Sequence, residues 1–239
     1  MISQETKTRL ETRLYPNLEE VVFGAWHREL AARLCRGAVV LDSGSGPGSW
    51  VLQEHRDRIA LLVGEDLYIP EQRNTDVLVL APCTELPFAD DAFDLILAYL
   101  VLEHLPTPEM AFREYARVLK PGGYFCFKTP AARTPLFLLA HLLPTQLHER
   151  LKASVGTDSH DVFPTYYRAN TISGLHRALT AAGFAKEWLQ TVDQTYAYLS
   201  QTPWSYALGL LYSRLTQLAC FRFLRNQIMG IYRRVEERA

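Results

Sequence analysis

Two acids and three glycines are the first residues whose types and spacing suggest chemistry. In VVLDSGSGPGSW (residues 39–50), Asp42 ends an apolar run, and Gly44, Gly46 and Gly48 follow at alternate positions. Glycines spaced this way let a backbone turn tightly and approach a ligand closely. The dinucleotide fingerprint is GxGxxG or GxGxxA, and its last anchor falls here on Ser49. A carboxylate two residues before the first glycine repels a pyrophosphate but attracts an ammonium group. Asp66 lies roughly 20 residues beyond the loop, where an acid binds ribose hydroxyls. Its two oxygens can accept from both hydroxyls, and its charge strengthens the pairing. Glu65 competes for that place.

The elements that must position these residues alternate. AVVLD is a strand ending at Asp42, SWVLQEHRD a short helix, and IALLVGE, VLVLA and FDLILAY are three further strands. Continuous apolar runs of this kind suit a parallel sheet covered on both faces. Thr107 and Pro108 open a helix whose Phe112, Tyr115, Val118 and Leu119 face the core. KPGG stops it, and YFCFKT is the fifth strand. Thr171 opens another helix, with Ile172, Leu175, Ala178, Leu179 and Ala182 on one face. Gly183 ends it, and AKEWLQTV is the sixth strand. Asn17 and Glu20 predict a capping box before an amphipathic helix bearing Val21, Leu30 and Leu34. The order predicts a single doubly wound, Rossmann-like α/β domain, mostly parallel, with helices on both faces. Its core covers about 17–130 and 171–200. A helical insertion or lid occupies about 131–170, and a helical C-terminal extension about 203–234. Ligands of such sheets sit at the carboxyl ends of the strands, where Asp42, Asp66 and Tyr99 fall.

S-adenosylmethionine meets the demand of the loop, since it offers an amino-acid head, a sulfonium and a ribose without phosphate. The segments LDSGSGPG, VGEDL and LPFADDAFDLILAYLVLEHLPTPEMAFREYARVLKPGGYFCFKTP extend the case. Over about residues 38–130 the chain resembles the class I S-adenosylmethionine-dependent methyltransferases, in the small-molecule branch with LPF, FD, LEH and RVLKPGG elements. That resemblance implies a seven-stranded sheet with the last strand antiparallel. It implies that Asp42, Gly44, Gly46 and Gly48 surround the methionine part, that Asp66 takes the ribose, and that Leu67 packs on the adenine. Cys83 and Thr84 border the adenine edge, and Tyr99 and Leu100 sit near the methyl group. Where many members of the family place an aspartate for the adenine amine, this chain has Pro82. Adenine recognition then falls to backbone groups and Thr84.

Methyl transfer from a sulfonium is a displacement that needs alignment and, for a hydroxyl acceptor, a base. His104 of LEHLP and His160 of TDSHDVFPTYYRAN are the candidates. Tyr166, Tyr167 and Arg168 are candidates for the acceptor pocket, beneath a lid formed by TPLFLLAHLLP. Asp158, His160 and Asp161 could ligate a metal, but a polar loop with capping acids is the commoner meaning, so no metal is expected. Four scattered cysteines with no CxxC argue against a zinc or disulfide framework and suit a reducing cytoplasm. The polar N-terminus does not read as a signal peptide, and the longest apolar run is too short to span a bilayer. A net charge of −1 argues against a nucleic-acid partner. From Pro203 to Arg234 there are five arginines and no acids. Trp204, Leu208, Leu211, Leu215, Leu218 and Phe221 share one helical face there, with Arg214, Arg222 and Arg225 elsewhere. That tail can pack on the domain, form a homodimer, or lie peripherally on a membrane near a lipid-like or isoprenoid acceptor. The reading is a small-molecule methyltransferase, most readily at oxygen. An NAD(P)-dependent oxidoreductase and a non-catalytic binding module are the alternatives.

Overall fold

The computed structural model describes residues 2–132, 134 and 163–235. Seven strands form one sheet: β1 (Ala38–Ser43), β2 (Ile59–Asp66), β3 (Val77–Leu80), β4 (Phe93–Tyr99), β5 (Leu119–Pro130), β6 (Phe184–Val192) and β7 (Gln227–Arg234). Their order is β3-β2-β1-β4-β5-β7-β6, and β3 through β5 pair in parallel. The chain divides into two compact units. One takes in Trp26–Pro130, Thr165–Gln190 and the residues from Ile228. The other takes in the described residues up to Ala25, those of Ala131–Pro164, and Thr191–Gln227.

The first unit carries most of the sheet. Val40, Leu41, Leu62, Leu95, Ile96 and Leu97 are wholly buried, as expected of central strands covered on both faces. The helices α2 (Ala25–Arg33), α3 (Trp50–Gln53), α4 (Pro108–Val118) and α5 (Ile172–Ala181) accompany them. On α4 the expected face is the buried one, with Phe112, Tyr115, Val118 and the following Leu119 all inaccessible. On α5 the burial falls on Leu175 and Leu179, whereas Ile172 at its first turn is exposed. Thr171 caps α5 by accepting from Gly174 N at 3.1 Å. Arg117 of α4 ties down the turn before β4: it donates to the carbonyls of Leu86 and Phe88 and pairs with Asp90 and Glu114. Asp94, the acid of the FD element, accepts from Val39 N at 2.8 Å and pairs with Lys120 at 2.6 Å. The LPF, FD and RVLKPGG elements are thus largely joints of the scaffold.

The second unit holds α1 (Gln4–Leu14), α6 (Thr195–Tyr198) and α7 (Pro203–Leu215). Tyr206 donates to Glu11, and Arg214 Nη1 donates to Leu14 O at 2.9 Å. Asp193 is wholly buried and accepts from Thr195 N, Thr195 Oγ1 and Ser213.

Asn17 stands at the head of its helix, where its carbonyl accepts from Val21 N at 3.0 Å, and Glu20–Gly24 forms a π turn ahead of α2. The buried row there is Val22, Trp26, Leu30 and Leu34. The C-terminal segment is helical only in part. After α7 and a 3-10 turn at Ala219–Leu224 the chain becomes β7, between β5 and β6. QIMGIY within β7 is buried throughout, so it shows no alternation to distinguish strand from helix. Of the insertion, residues 135–162 lie outside the described residues, and with them the lid segment, Asp158, His160 and Asp161.

Candidate functional site

The crevice follows from strand order. β1 has β2 on one side and β4 on the other, so the connections diverge at the carboxyl ends of β1 and β4, the topological switch point. The glycine loop leaves β1 there. Gly44, Gly46 and Gly48 all have positive φ, at 62°, 49° and 103°. A Cβ at Gly44 would lie 2.5 Å from Val101 Cγ2, and one at Gly48 would run into the Asn74 amide. At Gly46 a Cβ would meet nothing closer than Tyr68 Oη at 3.8 Å, so the space above the loop's middle is open to a ligand.

Three carboxylates support this loop. Asp42 is wholly buried, and its two oxygens accept from Ser49 N at 2.9 Å and Ser49 Oγ at 2.8 Å. Ser49, the residue that departs from the dinucleotide fingerprint, therefore closes the loop onto Asp42. Both Asp42 oxygens thus brace the loop through Ser49. Glu65 is also buried and accepts from Ser43 Oγ at 2.6 Å; that hydroxyl is 2.8 Å from Tyr115 Oη. Asp66, at the end of β2, accepts from Gly46 N at 2.7 Å and from Leu67 N at 2.7 Å. Both acids touch the loop: Glu65 accepts from the Gly44 N–H through its carboxylate and from Ser45 N through its carbonyl at 2.9 Å, while Asp66 holds Gly46. Burial pushes Asp42 and Glu65 each up to about 7, with the Asp66 charge adding to both and hydrogen bonds from Ser49 or Ser43 opposing it. Ser45 Oγ in the loop is buried with no hydrogen-bond partner among the described residues. A floor of carboxylates, an open glycine and an unsatisfied hydroxyl suit a cationic polar ligand better than a pyrophosphate.

Around this floor, Leu67 is 62% exposed, as a side chain that packs on a flat base would be. Cys83 and Thr84 are half-buried. Burial and the Glu65 charge push the Cys83 thiol up to about 12, so it can border the pocket but is no nucleophile. Tyr99 and Leu100 end β4. Leu100 holds a left-handed backbone, φ 60°, and donates its N–H to Lys128 O at 2.8 Å; such strain in a leucine concentrates at functional sites.

Sequence reasoning missed the far wall. Trp50, the first residue of α3, lies edge-on to Tyr99 at 6.4 Å between ring centroids, and His27 lies 5.1 Å from Trp50. Trp26, inaccessible to solvent, lies 6.1 Å from Tyr99. Lys128 of β5 is buried, donates to Tyr99 Oη at 2.9 Å and sits 4.7 Å from the Tyr99 ring centroid. A tryptophan directly after the glycine loop was the one signal available. Lys128 follows only from its register opposite Tyr99.

In the LEH element the glutamate anchors a network. Glu103 is buried; its carbonyl accepts from Tyr166 N at 2.7 Å and Tyr167 N at 3.1 Å. Its carboxylate accepts from Thr129 Oγ1 at 3.0 Å, and Asn170 Nδ2 donates to Thr129 Oγ1 and to Pro130 O. Residues 166–170 are thereby tied to the end of β5. Tyr166 and Arg168 are exposed and Tyr167 is half-buried. His104 closes the same turn and is half-exposed. Among the described residues no three His, Cys, Asp or Glu side chains form a metal set.

Residues 41–127 match the family model described as "Methyltransferase domain". An uncharacterized methyltransferase of Schizosaccharomyces pombe is 34% identical over 107 residues, 37% of this chain and 38% of that protein. The ubiquinone biosynthesis O-methyltransferase of Albidiferax ferrireducens is 29% identical over 130 residues, 49% and 50% of the two chains. The alignments thus span half or less of these relatives. Among solved structures, the geranyl diphosphate C-methyltransferase of Streptomyces coelicolor superposes with a TM-score of 0.58 at 16% identity. That superposition covers 98% of this chain and 84% of the other. The glycine loop at the switch point, the carboxylates beneath it and the match over residues 41–127 agree. Residues 41–127, which hold the glycine loop and the strands around it, are similar to the methyltransferase domain.

Proposed function

We propose that the protein transfers the methyl group of S-adenosylmethionine to a small-molecule acceptor, most readily at a hydroxyl oxygen. One observation carries this reading: the open glycine loop is held by Asp66 through Gly46 N over a floor of carboxylates. In this assignment Asp66 accepts from the ribose hydroxyls, Leu67 packs on the adenine, and Cys83 and Thr84 border its edge. Asp42 and the three glycines shape the cradle of the methionine part. Tyr99 and Leu100 flank the methyl group. The sulfonium, when bound, supplies the electrophilic methyl. The residues of the chain align it with the acceptor, an effect worth up to about 7–11 kcal/mol in well-oriented systems. On the acceptor side we place Tyr166, Tyr167 and Arg168, with His104 at the rim to take the hydroxyl proton. His160 lies outside the described residues. The relative named as an O-methyltransferase supports transfer to oxygen.

Calorimetry with S-adenosylhomocysteine tests the assignment. Asp66→Ala should weaken binding by more than about tenfold, the loss of a charge-assisted pair of hydrogen bonds. Unchanged affinity would remove Asp66 from the ribose. Binding of NADH in place of either adenosyl ligand would favour the oxidoreductase reading.

A lipid-like acceptor met at a membrane surface is a second reading, supported by α7. Trp204 is 80% exposed, and Leu208, Leu211, Leu215 and Leu218 are exposed along the same face, while Phe221 is half-buried. No helix among the described residues is long and apolar enough to cross a membrane, so the contact would be peripheral. Co-sedimentation with anionic vesicles, lost in Trp204→Ala, is the expected result. A concentration-dependent dimer lost in the same variant would instead make this face a homodimer contact.

A further inference from the structure

We propose that Lys128 determines the preference of the crevice for the sulfonium form of the cofactor over the thioether product, through the charge on its amine. The inference rests on the cofactor assignment above and deepens it. Lys128 stands on β5 opposite Tyr99 of β4, which is in turn the neighbour of β1. Its ammonium is thus placed at the Tyr99 end of the crevice, the end assigned to the methyl group, whereas all three carboxylates lie on the β1–β2 side. Above it Tyr99 contacts Trp50 of the glycine-loop helix. An ammonium there repels a sulfonium and is indifferent to a neutral thioether; a neutral amine repels neither.

The surroundings make that charge titrate in a useful range. Burial pulls the Lys128 amine down to about 7, against the pull of Glu103. The groups facing it are Tyr99 from β4, whose phenol is itself pushed up by burial, and Glu103 from the turn after β4, with His104 acting on that carboxylate. His27 lies beyond Trp50. Across the crevice Asp42 and Glu65 titrate at about 7 and Asp66 lies beside them. Losing protons from those carboxylates with rising pH also favours a cation. The share of Lys128 is therefore the part of the pH dependence that disappears when its amine is removed.

The test is calorimetric and needs no acceptor. Affinities of S-adenosylmethionine, S-adenosylhomocysteine and sinefungin, an analogue with an amine in place of the sulfonium, are measured from about pH 6 to about pH 8. In the wild-type chain the preference for the two cations over the thioether should rise with pH, by about tenfold for each unit by which a bound cation shifts the Lys128 amine. Lys128→Met should flatten that rise and leave only the carboxylates' remainder. Lys128→Arg, whose charge does not titrate in this range, should likewise show only the carboxylates' share of the rise. A flat wild-type preference overturns the proposal, and so does a full wild-type rise in Lys128→Met. Should Lys128→Met fail to fold, a full wild-type rise in Lys128→Arg overturns it instead. If neither adenosyl ligand binds the wild-type chain, the cofactor assignment falls and the proposal with it. Binding with a Lys128-independent slope removes only the proposal.

Discussion

The two sides of the crevice bury opposite charges. Toward β2, Asp42 and Glu65 are acids whose burial raises them to about 7. Toward β5, Lys128 is a base whose burial lowers it to about 7. Each group is pushed toward neutrality because desolvation penalises whichever form is charged. The two sides differ in how they are held. The acids are fixed by local hydrogen bonds within a loop that sequence motifs announce. The lysine is fixed by tertiary register, beneath an aromatic wall and beside the Glu103–Thr129–Asn170 network. Binding geometry is thus written locally on one side and assembled from distant segments on the other.

The largest effect that tests this contrast falls on the loop. Gly44→Ala introduces a Cβ against Val101 at a positive φ. It should cost about 1–3 kcal/mol of stability and take S-adenosylhomocysteine binding below detection in calorimetry. Ser49→Ala comes next. It leaves the Asp42 carboxylate short of a buried donor and should cost about 1–3 kcal/mol in urea denaturation, with binding weakened but measurable. On the opposite side Thr129→Val breaks the link between Glu103 and Asn170. It should cost about 1 kcal/mol and leave cofactor affinity unchanged; a parallel loss of affinity would erase the distinction between the two sides.

The smallest effect is in the pH dependence of the melting temperature. Asp42 and Glu65 have folded values above their ordinary 3.8 and 4.5, so the folded chain binds their protons more tightly. Their contribution is complete below about pH 4 and is lost as pH rises through about 7. Lys128 has a folded value below its ordinary 10.5, so the folded chain holds its proton less tightly. Stability from that source rises between about pH 7 and about pH 10. The ligand-free chain should therefore show a dip near neutral pH. Glu65→Gln should flatten the acid limb and Lys128→Met the alkaline limb.

Much of the sheet was legible because its central strands are apolar runs bounded by breakers, and α4 and α5 because their caps and buried faces follow the helical period. Helix α1 was not, since none of its residues is buried and it carries no periodic stripe. Nor was β7, whose unbroken burial follows an acid-free helical run. In the site, the glycine loop was legible from spacing, which left Glu65 and Asp66 both open. The bracing role of Asp42 was not, because a carboxylate near glycines looks the same whether it faces the ligand or the loop. Trp50, Glu103 and Lys128 depended on which strands become neighbours, and strand order is not written in any single segment.

Arg117 fastens the turn between β3 and β4 at three points, two of them main-chain carbonyls. A turn bolted to its own helix in that way has little room for insertions or altered length. An insertion between β3 and β4 should therefore loosen the end of α4 that Arg117 anchors as well as the turn itself.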